Sequence, residues 1–294
     1  MPVEVEGRRL ALSNLSKRLY PSGFLKAEVI DYYTRIAPVL LPHLAGRPLT
    51  VKRYPDGSEG KFFFEKNAPS HTPSWVRRVT LPVPGSTMKR ETIDFVVVDE
   101  LATLVWLANL AALELHTPQW TVGPKGGVHA PDLLVIDLDP GPPATIRACC
   151  EVALLARPLL PEGAMAKTSG NKGMQIVAPW HGGAHGDSSA AAKELAERLE
   201  REHTDLVVSK MAKAVRPNKV FVDWSQNNPA KTTVSVYSLR ARDMPAVSTP
   251  LTWDEVADGA DGRPLTFTAP DVLARVEQDG DLFAALVPDR PGRR

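Results

Sequence analysis

From Lys26 to Leu44 the apolar residues Val29, Ile30, Tyr33, Ile36, Ala37, Leu40, Leu41 and Leu44 recur at steps of three and four. That period predicts an amphipathic helix, with Pro38 as a bend within it. Before it, VEVEG and RRLALS read as an extended or hairpin start, and residues 20–23, Tyr-Pro-Ser-Gly, as a turn. LTVKRY at 49–54 and KFFFEK at 61–66 predict strands on either side of a Pro55-Asp56-Gly57 turn, and the proline-rich stretch 67–90 predicts a surface excursion. IDFVVVD at 93–99 predicts a strand, and LATLVWLANLAALEL at 101–115 a single helix, apolar on most of its surface. DLLVIDLDP at 132–140 is continuously apolar up to its acidic end, which marks a central strand. Two further core strands are predicted at 173–180 and 220–224, helices at 145–160 and 188–203, an extended segment at 232–242, and short helices beyond 251.

This alternation predicts an α/β or α+β fold with a smaller N-terminal part. At 294 residues the chain is long enough for a substantial core, and no self-similar period points to a solenoid. No apolar run is long enough to cross a bilayer, and the opening MPVEVEGRR lacks the apolar centre of a signal peptide, so a cytoplasmic site of action is expected. The two cysteines, Cys149 and Cys150, are adjacent in an apolar helical stretch, where packing is the expected role; the pair has no metal-ligand spacing. The net charge of +1 says little, but its distribution says more. Residues 1–90 hold 15 Lys or Arg against 7 Asp or Glu, whereas 254–294 hold 5 against 9, so a basic first third is available to phosphates.

The chemistry-bearing pattern lies in the predicted central strand. Asp137 and Asp139 are two residues apart, so their side chains share a face about 6–7 Å apart at the backbone. Two carboxylates that close repel each other unless a cation sits between them, and Mg²⁺ or Mn²⁺ suits an all-oxygen donor set. Asp223 stands in VFVDW, where an isolated carboxylate among large apolar neighbours is costly. It is either a third metal ligand, or a strand-end cap or salt-bridge partner. The loop Thr168-Ser169-Gly170-Asn171-Lys172-Gly173 precedes a core strand and offers backbone N–H groups, a hydroxyl and an ammonium to an anion, although its spacing is not that of a Walker loop. Arg240 and Arg242, on one side of an extended segment, suit a triphosphate clamp; a solvated basic edge has the same pattern.

With those residues in view, the chain resembles the polymerase domain of bacterial ATP-dependent DNA ligase D, in the archaeo-eukaryotic primase superfamily. The likeness is carried in order by LSNLSKRLYP, FFEKN, LAALELHTPQW, VIDLDPG, TSGNKG, KVFVDWSQN, KTTVSVYSLRAR and PLTWDEV. It implies a primase-like core of central mixed β-sheets flanked by helices, in a single domain spanning 1–294. Within that domain it implies a DNA-end-binding part at about 1–90, a catalytic core at 91–250 and a tail at 251–294. By the resemblance, Asp137, Asp139 and Asp223 hold two Mn²⁺ or Mg²⁺ ions, and Ser169, Lys172, Gln175, His116, Arg240 and Arg242 face the incoming nucleotide. Asn14, Lys17 and Lys26 match a pocket for the 5'-phosphate across a DNA gap. Phe63 and Phe64 match aromatics that stack on template bases; without the resemblance they would read as core residues.

The resemblance also implies a preference for ribonucleoside triphosphates and the filling of short gaps during non-homologous end joining, with Ku and an ATP-dependent ligase as partners. One departure stands out. Family members commonly carry a histidine two places after the SGxKG turn, where this chain has Gln175, which can donate to a phosphate oxygen but cannot be protonated. The rival readings are a primase that starts chains without a primer, using the same three aspartates, and a non-catalytic DNA-end binding module.

Overall fold

The computed structural model describes residues 1–83 and 91–287, and in it the chain forms two compact units that interleave along the sequence. One comprises Met1–His129, Thr232–Val247 and Thr268–Gly280; the other comprises Ala130–Lys231, Ser248–Phe267 and the described residues from Asp281 onward.

The first unit is built on a sheet whose strand order is Thr233–Val234, Ala112–Thr117, Pro48–Arg53, Thr92–Val97 and Arg78–Pro82, with Phe63–Glu65 also paired to Pro48–Arg53. The helix Lys26–Leu44 has the bounds its apolar period predicts, contains Pro38 and Pro42, and packs against the helices Leu101–Asn109 and Ala269–Asp279. Inside the unit its Tyr32 and Tyr33 hydroxyls donate to the carbonyls of Tyr237 and Leu113. The start of the chain is the antiparallel hairpin Pro2–Val5 with Arg8–Ala11.

Two expectations change here. The run 101–115 is a helix only to Asn109; Ala111 takes a left-handed φ of 58° and the chain continues as the strand Ala112–Thr117. The apolar residues before this point hide the change of period. After it, Leu113 and Leu115 are fully buried while Glu114 and His116 emerge on the opposite face of the strand. The supposed excursion at 67–90 contains the strand Arg78–Pro82, antiparallel to Thr92–Val97, while residues 84–90 lie outside the described part.

The second unit is a six-stranded sheet in the order Val207–Val208, Val220–Asp223, Leu133–Pro140, Met174–Pro179, Met165–Thr168 and Pro250–Leu251. The continuously apolar strand Leu133–Pro140 is internal to it, antiparallel to a neighbour on each side. The helix Ile146–Ala156 packs against Trp253–Ala260 and buries both cysteines, which are free thiols; His185–Glu202 covers another part of the same core. The strand Met165–Thr168 was not legible in the sequence as a separate element, because MAKT carries neither alternation nor a long apolar run.

Candidate active site

The second unit aligns one row of polar residues across four strands. Lys167 lies opposite Gln175, Gln175 opposite Asp137, and Asp137 opposite Asp223. Directly opposed residues present their side chains on one face of a sheet, and Asp139, two positions from Asp137, emerges on that same face. Asp137 is partly buried and Asp139 exposed at the end of the strand. Burial pushes the Asp137 carboxyl up to about 7, and the negative charges of Asp139 and Asp223 add to that, while a Gln175 hydrogen bond and the Lys167 charge oppose it. The donor set is therefore all oxygen and short of positive charge, which fits a hard divalent cation.

Asp223 shows the cap reading directly. It ends its strand opposite Asp137, and its carboxylate caps the turn that follows. It accepts from the Ser225 amide at 3.0 Å, the Ser225 hydroxyl at 2.5 Å and the Gln226 amide at 2.7 Å. Lys231 in turn donates to the Ser225 hydroxyl. With Asp223 engaged in this way, no group of three or more His, Cys, Asp or Glu among the described residues is arranged to hold one ion. A shared metal would need the Asp223 carboxylate to give up part of its cap to a stronger ligand.

The loop 168–173 returns tightly to the central strand. A Cβ on Gly173 would fall 2.1 Å from the Leu138 carbonyl oxygen, so only glycine fits there. Gly170 has φ 66°, the Ser169 amide donates to the Gly173 carbonyl at 3.0 Å, and the Ser169 hydroxyl accepts from the Asn171 amide. Lys172 projects from this turn, exposed. Gln175 is buried, with its side-chain oxygen 2.5 Å from the Lys167 ammonium.

In the first unit Glu114, which sequence reasoning did not single out, gathers the basic candidates. His116 Nε2 is 3.0 Å from one of its oxygens and Lys52 Nζ 3.5 Å from the same one, while Arg240 Nε is 3.6 Å from the other. The Tyr54 hydroxyl and the Ala241 amide complete the ring at 3.3 and 3.2 Å. Burial opposes ionisation of Glu114, but the His116 hydrogen bond and the charges of Arg240 and Lys52 outweigh it and hold the carboxyl at about 2. Burial holds His116 below the usual imidazole range against the pull of the Glu114 hydrogen bond and charge, with Arg240 and Lys52 helping. Arg242, just past the strand end, is exposed.

The same sheet row runs on to the aromatics, since Lys52 lies between Glu114 and Phe64 in register and Arg53 opposite Phe63. Phe63 and Phe64 are 44% and 59% exposed, which removes the core reading, and Phe62 beside them is 49% exposed. The Lys52 ammonium sits 4.2 Å from the Phe62 ring centre and 5.4 Å from that of Phe64. The signal for Phe62 was the KFFFEK run itself, read only as a strand.

Asn14, Lys17 and Lys26 also come together within the first unit. Asn14 has a left-handed φ of 53°, its carbonyl accepts from the Lys17 amide, and the Lys17 carbonyl accepts from the Lys26 amide. Lys17 pairs with Asp56 at 3.2 Å. Lys26 is buried, 3.5 Å from the Ser13 hydroxyl; burial lowers its pKa, and the neighbouring charges of Lys17 and Arg53 lower it further. Cations crowded to mutual cost favour an anionic ligand between them.

Residues 25–283 match the family model described as LigD, primase-polymerase domain. The multifunctional non-homologous end joining protein LigD of Mycolicibacterium smegmatis is 42% identical over 289 residues, 96% of this chain and 37% of that protein. The bifunctional non-homologous end joining protein LigD of Bacillus subtilis is 30% identical over 94% of this chain and 44% of its own length. The chain thus spans well under half of these relatives. Among solved structures, the polymerase domain of Mycobacterium tuberculosis ligase D, in complex with DNA, superposes with a TM-score of 0.89 at 39% identity, over 96% of this chain and 99% of that one.

Proposed function

We propose, since the chain belongs to the LigD primase-polymerase domain family, that it adds nucleoside triphosphates to primer 3'-ends in short DNA gaps during non-homologous end joining. The observation that carries this reading is the in-register pairing of Asp137 with Asp223 beside Asp139. Three carboxylates so placed are the ligands proposed for two Mn²⁺ or Mg²⁺ ions. When bound, such a pair supplies activation of the attacking hydroxyl and charge neutralisation on the leaving phosphates. Ser169 and Lys172 offer a hydroxyl and an ammonium to the triphosphate, and Arg240, Arg242 and His116 are proposed nucleotide contacts by the family resemblance.

Asn14, Lys17 and Lys26 are the proposed pocket for a downstream 5'-phosphate, where ammonium groups act as point charges. The exposed Phe63 and Phe64 rings suit stacking on template bases. A preference for ribonucleotides, and assembly with Ku and an ATP-dependent ligase, are carried by the sequence resemblance alone and are proposals for this chain.

The test is primer extension on a gapped duplex with Mn²⁺, offering ribo- or deoxyribonucleoside triphosphates. Template-dependent addition at the 3'-end supports the reading, and binding without addition would replace it with an end-binding module. Efficient dinucleotide synthesis on unprimed template would favour a primase.

A further inference from the structure

Lys167 was not among the residues the sequence pointed to, yet it is 3% exposed and stands at one end of the polar row that leads to Asp137. Its ammonium donates to the Gln175 side-chain oxygen at 2.5 Å and to the Ser248 hydroxyl at 2.7 Å. The polarity of this chain is forced. The Ser248 proton is directed at the Thr168 carbonyl, 2.9 Å away, so toward Lys167 the hydroxyl oxygen can only accept. A lysine ammonium has donors and no acceptor, so the Gln175 atom facing it is the oxygen, and the amide nitrogen is left for Asp137, to which Gln175 is hydrogen-bonded. The ionised Asp137 carboxylate favours the same orientation from its side, and the ammonium opposes the flipped one from the other.

We infer that Lys167 is a positioning residue which, by fixing the amide of Gln175, holds the Asp137 carboxylate in the orientation that takes a metal ion. The inference rests on the metal-binding reading of Asp137 proposed above. It also gives Gln175 a role other than direct contact with phosphate: it presents a neutral N–H donor to a carboxylate, and the lysine behind it supplies the orientation. Outer partners that orient a ligand typically change metal affinity by about 10- to 100-fold when removed.

The experiment is a calorimetric titration with Mn²⁺ alone, without nucleotide or DNA, on wild type, Lys167→Met, Gln175→Leu, the double variant and Asp137→Asn, each first checked for a cooperative melt. Positioning predicts that Lys167→Met and Gln175→Leu each weaken Mn²⁺ binding about 10-fold and that the double variant is no weaker than either, because both break the same chain. If Lys167 acted only through its charge, its removal would tighten the binding of a cation, and that result, or unchanged affinity, overturns the inference. Independent effects that multiply in the double variant overturn it too. Should Lys167→Met fail to melt cooperatively, the Gln175 side-chain amide resonance in Ser248→Ala decides: a shift toward the exposed-amide position supports the chain, and no change refutes it. An isotherm indifferent to Asp137→Asn would remove the metal reading itself and the inference with it, whereas the other failures leave that reading standing.

Discussion

Asp137 and Asp223 face each other directly across antiparallel strands, although 86 residues separate them in the chain. The consequence is a pair in which one carboxylate is the proposed metal ligand and the other is occupied by its own turn. Asp137→Ala is expected to lower primer extension at least about 1000-fold and to abolish the rise in melting temperature that Mn²⁺ gives the wild type. Asp223→Ala should lose extension as well and also lower stability by about 1 kcal/mol through the missing cap. Extension assays and thermal melts with and without Mn²⁺ check both. Retained extension in Asp223→Ala with only a lower melting temperature would leave that residue a cap alone.

The crowding of Lys17 and Lys26 predicts a preference for phosphorylated downstream ends. Wild type should bind a 5'-phosphorylated gap at least about tenfold better than an unphosphorylated one, as charge-assisted hydrogen bonds of about 1.5–3 kcal/mol allow. The Lys17→Ala, Lys26→Met double variant should lose that difference. Binding titrations at fixed salt read it. An equal loss on both substrates would mean that the lysines form only a diffuse basic face.

The exposed phenylalanines should matter to DNA and hardly to folding. Phe63→Ala with Phe64→Ala is expected to weaken binding to a template with unpaired bases at least about 5-fold, at about 1–3 kcal/mol for each stacked base. The melting temperature should move by no more than about 2 °C, because neither ring is in the core. Fluorescence anisotropy and a thermal melt settle both halves.

The ring around Glu114 predicts an acid-dependent contribution to stability. Its folded carboxyl is held at about 2, below the ordinary value of 4.5. The ionised form is therefore favoured by folding, and the stabilisation is present above 4.5 and lost as pH falls from there through 2. Glu114→Gln should cost about 2–4 kcal/mol at neutral pH, since it strands Lys52 and Arg240, and the gap to wild type should close below pH 4.5. Urea melts at several pH values give the comparison. A gap independent of pH would mean that Glu114 acts through shape alone.

Much of this was legible along the chain because its signals are local. The period of the helix Lys26–Leu44, the apolar run ending in Asp137 and Asp139, and the VFVD strand each depend on residues within a few positions of one another. Local steric and burial preferences set such elements whatever lies across from them. The ordered motifs likewise pointed to the family before any contact was known.

Other features exist only through distant partners. The break at Ala111 was hidden because an apolar helix and an apolar strand share a composition, and only the sheet neighbours of Ala112–Thr117 decide between them. Glu114, inside the run predicted as a helix, and Lys167, in no predicted element, did not stand out, since a buried charge is recognised by what pairs with it: Lys52, His116 and Arg240 for the first, Gln175 and Ser248 for the second. The aspartates announce themselves in the sequence by their spacing. Which side chain holds them in place depends on strand register, and register is a property of the folded sheet.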